Sequence, residues 1–293
     1  MVLLIWKISN KKEMKTSLLL VALLGSYLAN SQLLYEIKSK DGQHTSYVFG
    51  TIHLMPKEKF NIDSTLTAAF NSSSMIAMEV DLNMDLAQKI EIAKETILPE
   101  GKTLRDICTA AQYQLIYTYA VDSNGMSKKK FKRYSRLKPF FFSSVMLQES
   151  IENTKSYELE FGDMAKKGSK KTMGLESIQV QMQTINTVSL EDQVRMLIDG
   201  MNQTQGYDAM LSNYLSESID ALYVDIVAES EGFPDFIENF LNKRNTQWIP
   251  VITDQIEREN TFIAVGAGHL PGPNGVLELL RAKGYSLTPI RRN

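Results

Sequence analysis

The 293-residue chain holds only three histidines, His44, His53 and His269. Two of them share one setting. Tyr47-Val48-Phe49-Gly50-Thr51-Ile52-His53-Leu54 and Phe262-Ile263-Ala264-Val265-Gly266-Ala267-Gly268-His269-Leu270 each read as a buried apolar strand that closes on Gly-x-x-His. A glycine there lets the backbone pass close to something, and the imidazole that follows can ligate a metal or carry a proton. For either histidine alone, a core imidazole with one hydrogen bond is the plainer reading. The same construction met twice, with a single histidine elsewhere, points to a shared site.

Carboxylates appear where apolar strands should carry none. Met75-Ile76-Ala77-Met78-Glu79-Val80-Asp81-Leu82 is strand-like yet holds Glu79, and a carboxylate is expensive to bury without a partner. Asp81 falls on the same face by the period of two, as a support for Glu79 or a loop cap. Thr172-Met173-Gly174-Leu175-Glu176-Ser177 repeats the sequence of strand, glycine and acid; Glu176 serves there either in a site or as a helix cap. Ligands of open α/β sheets bind at the carboxyl ends of strands, where His53, Glu79, Glu176 and His269 would meet. Imidazole with carboxylate suits Zn, Mn, Co or Fe better than Mg or Ca. Such an ion acidifies water and polarises a carbonyl, and a glutamate off the metal can act as general base. His53 and His269 are the expected ligands, Glu79 the third ligand or the base, and Glu176 a fourth ligand or an outer carboxylate. Arg244 and Asn245, in Arg-Asn-x-x-Trp248, read as a clamp for a substrate carboxylate or oxyanion, the alternative being a surface arginine. The spacing lacks the His-Glu-x-x-His of a zincin helix. Ser177 has no nucleophile-elbow surroundings and Cys108 sits in a helical pattern, so neither is the nucleophile.

Positioning these groups requires strands separated by helices. Leu33 to Ile37 alternates like an edge strand and, across the turn Lys40-Asp41-Gly42-Gln43, makes a hairpin with the strand that carries Gly50. Met55-Pro56 stops that strand. Ile62 to Phe70 has helical spacing with Asp63 or Ser64 as cap, and Asp85 to Ile97 is the next helix. Pro99-Glu100-Gly101 is a turn. Helical spacing continues over Thr103 to Tyr119, Pro139 to Ile151, Val180 to Ile198, Tyr207 to Tyr214, Ile219 to Val227, Phe233 to Leu241 and Trp248 to Ile256. Residues 261–269 form the last buried strand, Val276 to Lys283 a helix, and Ser286 to Ile290 a terminal strand. The class is α/β or α+β: a central mixed sheet with a large helical insertion, its layer running over about 103–160 and 180–257 of a single domain, 32–293.

Residues 1–31 read as a leader. Met14-Lys15-Thr16-Ser17 opens a positive start, Leu18 to Leu28 is an apolar run too short to span a bilayer comfortably, and Ala29-Asn30-Ser31 offers small residues for cleavage after Ser31. Met14 is the expected start and residues 1–13 an upstream extension; the alternative is an uncleaved anchor. The leader predicts export, to the periplasm or outside the cell, with no membrane span after cleavage. It carries four Lys and one Glu, so the formal charge of −2 becomes −5 beyond it, which argues against a general nucleic-acid binder. The single cysteine, Cys108, allows no intramolecular disulfide. The basic run Lys128 to Lys138 is a solvated face or a rim that attracts an anionic substrate.

Together, Tyr47 to His53, Met78-Glu79-Val80-Asp81-Leu82, Leu98-Pro99-Glu100-Gly101-Lys102-Thr103-Leu104, Gly174-Leu175-Glu176-Ser177 with Gln181, Arg244-Asn245-x-x-Trp248 and Val265 to Leu270 followed by Gly272-Pro273 resemble the Tiki/TraB/GumN family, in the family's order, over about 33–290. The resemblance implies a core related to the erythromycin-esterase-like and ChaN-like folds. In its Tiki branch it implies a metal-dependent peptidase that clips short N-terminal segments, with Mn or Co favoured and Zn an option. By position it makes His53, Glu79 and His269 the core site, supported by Glu176, Arg244 and Asn245. Bacterial members often show Gly-x-Asp before the strand leading to Gly-Leu-Glu; this chain has Tyr157-Glu158-Leu159-Glu160, with Glu158 as the substitute. Two other functions stay open: a non-catalytic module that holds a peptide or pheromone, and a metal-free hydrolase of the erythromycin-esterase type with His as base.

Overall fold

The computed structural model describes residues 32–202, 206–233 and 235–292; the leader read over residues 1–31 lies outside them. Eight strands are present among the described residues: β1 Leu34–Lys38, β2 Thr45–Thr51, β3 Met55–Pro56, β4 Met75–Met78, β5 Thr154–Lys155, β6 Lys171–Gly174, β7 Thr261–Gly266 and β8 Leu287–Ile290. Six of them build a mixed sheet in the order β6-β4-β7-β2-β1-β8. The four strands β6, β4, β7 and β2 run parallel, while β1 is antiparallel to both β2 and β8. The fold is α/β with a central mixed sheet, as the strand and helix spacing predicts.

The parallel strands are buried on both faces, which suits their continuous apolar runs. One face is covered by the helix Tyr157–Lys167 and the helix Ser64–Ser72, capped by Asp63 through Leu66 N at 2.8 Å. Their aromatic side chains interlock with those of the strands: Phe49 meets Tyr157 at 5.3 Å and Phe161 meets Phe262 at 5.0 Å between ring centroids. The helix Lys243–Ile256 buries Arg244, Asn245, Trp248, Ile249, Ile252 and Ile256, a stripe at helical spacing. The helices between the strands form a second core of their own around Leu104, Ile116, Phe131, Phe142, Met146 and Leu197.

Several elements are shorter or more broken than the spacing predicts. β4 ends at Met78 rather than Leu82, and β7 at Gly266, with the 3-10 turn Ala267–His269 completing the stretch. In both places the backbone leaves the ladder so that a polar side chain can reach its partners. The helix expected over Thr103 to Tyr119 is two, Leu104–Ile107 and Ala110–Tyr117, because Thr109 starts a new capping box with Gln112. Val180 to Ile198 likewise divides into Ile178–Asn186 and Leu190–Asn202, with Ser189 accepting from Asp192 N at the restart. Phe233 to Leu241 becomes a short turn of helix and the π-helical Glu238–Asn242, which runs on into Lys243–Ile256. Met55-Pro56 does more than end β2: it pairs as β3 with β5 in a separate antiparallel ribbon. Among the described residues, no helix is long and apolar enough to cross a membrane.

Candidate active site

The four parallel strands bring their polar residues to one end of the sheet. His53 follows β2, Glu79 follows β4, Glu176 follows β6, and His269 stands at the end of the turn after β7. The strands are neighbours, so the four residues share the carboxyl end of the sheet, the usual ligand position of such folds. His44, the third histidine, precedes β2 and lies at the opposite end.

Arg244 is the hub. Its position in the first turn of Lys243–Ile256 points it over the strand ends, with Trp248 one turn on and stacked 4.7 Å from the guanidinium carbon. Nη2 donates to Glu79 Oε2 and to Glu176 Oε1, both at 2.6 Å, and Nε donates to Glu176 Oε1 at 3.0 Å. Nη1 donates to Phe240 O at 3.2 Å and meets His269 Nε2 at 3.1 Å. These contacts engage all five guanidinium N–H groups, so holding a substrate anion requires Arg244 to release one of them. Trp248 Nε1 donates to Glu176 Oε2 at 3.1 Å. Glu176 therefore anchors Arg244 and Trp248 rather than facing the histidines.

Glu79 is buried and ionised. Burial raises its pKa, but the Arg244 guanidinium and His53, with the Gly266 N–H donating to Oε1 at 2.8 Å, outweigh burial and hold it below the ordinary carboxylate range. Gln181 donates to Oε2 at 3.2 Å. His269 is buried and neutral. Burial lowers its pKa, and Arg244 and His53 add to that against the pull of Glu79, giving about 3. Its Nδ1 lies 2.6 Å from Asn245 Oδ1, an acceptor, so the proton sits on Nδ1 and Nε2 carries a lone pair. Asn245 is fixed in turn by donating to Asn274 O at 2.8 Å. His53 is the open member, its side chain 69% exposed, with Nδ1 3.0 Å from Glu158 Oε1. The hydrogen bond to Glu158 raises His53 to about 9, while Glu158, pushed up by burial, is brought to about 2 by His53, Ser156 and Thr51.

A gap at Gly266 ties the set together. A Cβ on Gly266 would lie 3.2 Å from Glu79 Oε1, 3.6 Å from His269 Cδ2 and 3.9 Å from His53 Nε2. Two imidazoles and one carboxylate thus border a space that any larger residue would enter. Gly50 serves the packing beneath: a Cβ there would lie 2.8 Å from Leu270 Cδ1 and 3.1 Å from Ala267 Cα. Imidazole nitrogens and a carboxylate oxygen suit a divalent transition ion in donor type, but the His269 atom that faces the gap is Cδ2. They are not drawn in to bonding distance: His269 Nε2 is 3.8 Å from Glu79 Oε1 and engaged by Arg244. Among the described residues, no three His, Cys, Asp or Glu side chains stand as a ready-made metal site.

Asp81, the other acid of the Glu79 stretch, accepts from Thr172 and from Asn83 N, as a loop cap does. Ser156 and Thr51, which hold Glu158, and the Phe240 carbonyl were not visible as site residues. Ser156 gives a sequence signal only as a helix cap, and a carbonyl freed by a π-turn gives none. A cleft of about 550 Å3 lined by Gln32, Glu217, Arg291 and Arg292 lies beyond β8, and one of about 240 Å3 lies between the helices Leu86–Glu95 and Ile178–Asn186. Neither is lined by the cluster, whose open side is His53.

The match to known proteins agrees with the motifs that build this cluster. Residues 33–289 match the TraB/PrgY/gumN family. The chain belongs to that family. A metalloprotease TIKI homolog of Amphimedon queenslandica is 21% identical over 299 aligned residues, covering 82% of this chain and 58% of the relative. This TraB/PrgY/gumN chain therefore spans little more than half the length of that relative. No solved structure matches it.

Proposed function

We propose that this protein is an exported, metal-dependent hydrolase, a peptidase acting on peptide or protein substrates at the carboxyl end of its sheet. The observation that carries the reading is the gap at Gly266, bordered by His53 Nε2, Glu79 Oε1 and His269. Membership of the TraB/PrgY/gumN family and the distant likeness to a metalloprotease support it. His53, Glu79 and His269 would hold the ion, with Mn or Co favoured and Zn an option. When bound, it would supply Lewis acidity toward a carbonyl oxygen and make water more acidic. The chain's own residues do the rest. Glu79, ionised at neutral pH, serves as the third ligand or, off the metal, as the base that takes a proton from water. Asn245 fixes the Nδ1–H tautomer of His269, and the ring's Nε2, which meets Arg244 Nη1, would have to be released to an ion. Arg244 balances the charge of two buried carboxylates and fixes the Glu79 carboxyl plane through Oε2. Substrate enters on the His53 side. Export through residues 1–31 and kinship with the erythromycin-esterase-like and ChaN-like folds belong to the same reading.

A metal-free hydrolase with His53 as base is the second reading. The Glu158 carboxylate on His53 Nδ1 favours it, because it makes the ring a stronger base, one that takes up a proton from substrate once it is deprotonated, toward pH 9. A peptide-library digest separates the two. Chelated protein should be inactive and regain cleavage with Mn2+, Co2+ or Zn2+. Cleavage that survives chelation supports the metal-free base, and no cleavage under any condition supports a binding module.

A further inference from the structure

We propose that Glu158 is the positioning residue of His53, a dedicated hydrogen-bond acceptor that fixes the ring so that Nε2 faces the Gly266 gap. The inference rests on the reading that His53 serves the site, and it holds whether His53 ligates an ion or acts as base.

Four observations carry it. First, Glu158 is nearly buried, with its side chain 14% exposed, and a carboxylate in that position needs donors. It has three. Thr51 Oγ1 donates to Oε1 at 2.5 Å, Ser156 Oγ donates to Oε2 at 2.6 Å, and His53 Nδ1 stands 3.0 Å from Oε1. The two hydroxyls fix the carboxylate plane, leaving Oε1 aimed at the imidazole. Secondly, His53 is mostly exposed, so no packing holds its ring. The bond at Nδ1 is what orients it, and it leaves Nε2 on the side of Glu79 and His269. Thirdly, the backbone is built to keep the two residues in register. The ribbon β3–β5 pairs Met55 with Lys155 and Pro56 with Thr154, and Lys57 N donates to Asn153 O at 2.9 Å. It thus staples the segment just after His53 to the segment just before Glu158. The ribbon also seats Met55 in the main core, so the register it sets is anchored by packing. Fourthly, Glu158 rides on a rigid support: Tyr157 beside it and Phe161 one turn on are buried against the sheet.

An outer carboxylate on the far nitrogen of a metal-binding histidine sets its tautomer and orientation, and losing one typically weakens metal binding roughly 10- to 100-fold. A carboxylate that merely caps the helix Tyr157–Lys167 has no such effect on the imidazole.

The test uses the exported chain with two readouts. In nitrogen-correlated proton spectra of the imidazoles, resolvable because the chain has three histidines, the wild type should show a hydrogen-bonded Nδ1 proton on His53. It should be lost in Glu158→Ala and recovered in Glu158→Asp. In Mn2+ titrations, Glu158→Ala should bind roughly 10- to 100-fold more weakly, with Glu158→Asp restoring most of the affinity. Should Glu158→Ala not fold, Glu158→Gln keeps the volume and still lowers affinity. An imidazole spectrum unchanged in Glu158→Ala overturns the proposal, as does Mn2+ affinity unchanged in a folded variant. If the wild type binds no Mn2+, the metal reading fails and the spectrum alone decides the role of Glu158.

Discussion

Replacing Glu79 by Gln removes one charge and no volume. Glu79 Oε2 accepts from Arg244 at 2.6 Å and from Gln181, while Oε1 accepts from Gly266 N at 2.8 Å. A carboxamide has one oxygen, so either rotamer turns its NH2 against a donor, Arg244 or Gly266. The folded pKa lies below the ordinary 4.5, so the ionised form adds stability. Breaking a buried ion pair by removing one partner typically costs roughly 3–5 kcal/mol; Glu176 still pairs with Arg244 here, so the low end applies. Glu79→Gln should therefore be about 3 kcal/mol less stable at pH 7. The pH dependence has a defined sign. The folded pKa is depressed, so this stability is full above pH 4.5 and lost as pH falls through the folded value. The variant should lack that acid limb, and the two stability curves should converge in acid. Urea unfolding followed by Trp248, the only tryptophan beyond residue 31, reads both effects. A change below about 1 kcal/mol at pH 7, or an acid limb kept in the variant, would refute the charge network described around Arg244.

His269, neutral with a pKa of about 3 against 6.5, should make the wild type lose about 2 kcal/mol between pH 6.5 and 5, because only the unfolded chain takes up that proton; urea midpoints of His269→Gln should lack this slope. Arg244→Ala leaves two buried carboxylates unpaired and should cost roughly 3–5 kcal/mol without metal, with part restored by saturating Mn2+ in a thermal melt. Gly266 has φ −52°, which alanine accepts, but its Cβ would meet Glu79 Oε1 at 3.2 Å, so Gly266→Ala should cost roughly 1–3 kcal/mol while weakening Mn2+ binding at least tenfold in a dialysis assay.

Much of this site was legible because chemistry had to appear in the wrong place. Glu79 in an apolar run and a Gly-x-x-His met twice stand out against the rule that strands bury carbon. Apolar runs separated by helices point to a central sheet, while the order β6-β4-β7-β2 is set by the crossovers. What escaped the sequence was local. Thr109 and Ser189 restart helices that periodicity alone runs together, since a capping hydroxyl leaves the apolar spacing intact. The ribbon β3–β5 is too short for any alternation to show. The hub role of Arg244 was hidden for a different reason: its partners Glu79, Glu176 and His269 are distant in the chain, and an arginine reads the same on a surface as in a core.

The claim that matters most is that His53, Glu79 and His269 together hold one divalent ion. Titrating the chelated protein with Co2+ and following its visible absorption tests this directly. The wild type should saturate at one equivalent, and His53→Ala and His269→Ala should each lose the signal while remaining folded. A wild type that binds no Co2+, or histidine variants that bind it as the wild type does, would contradict the account.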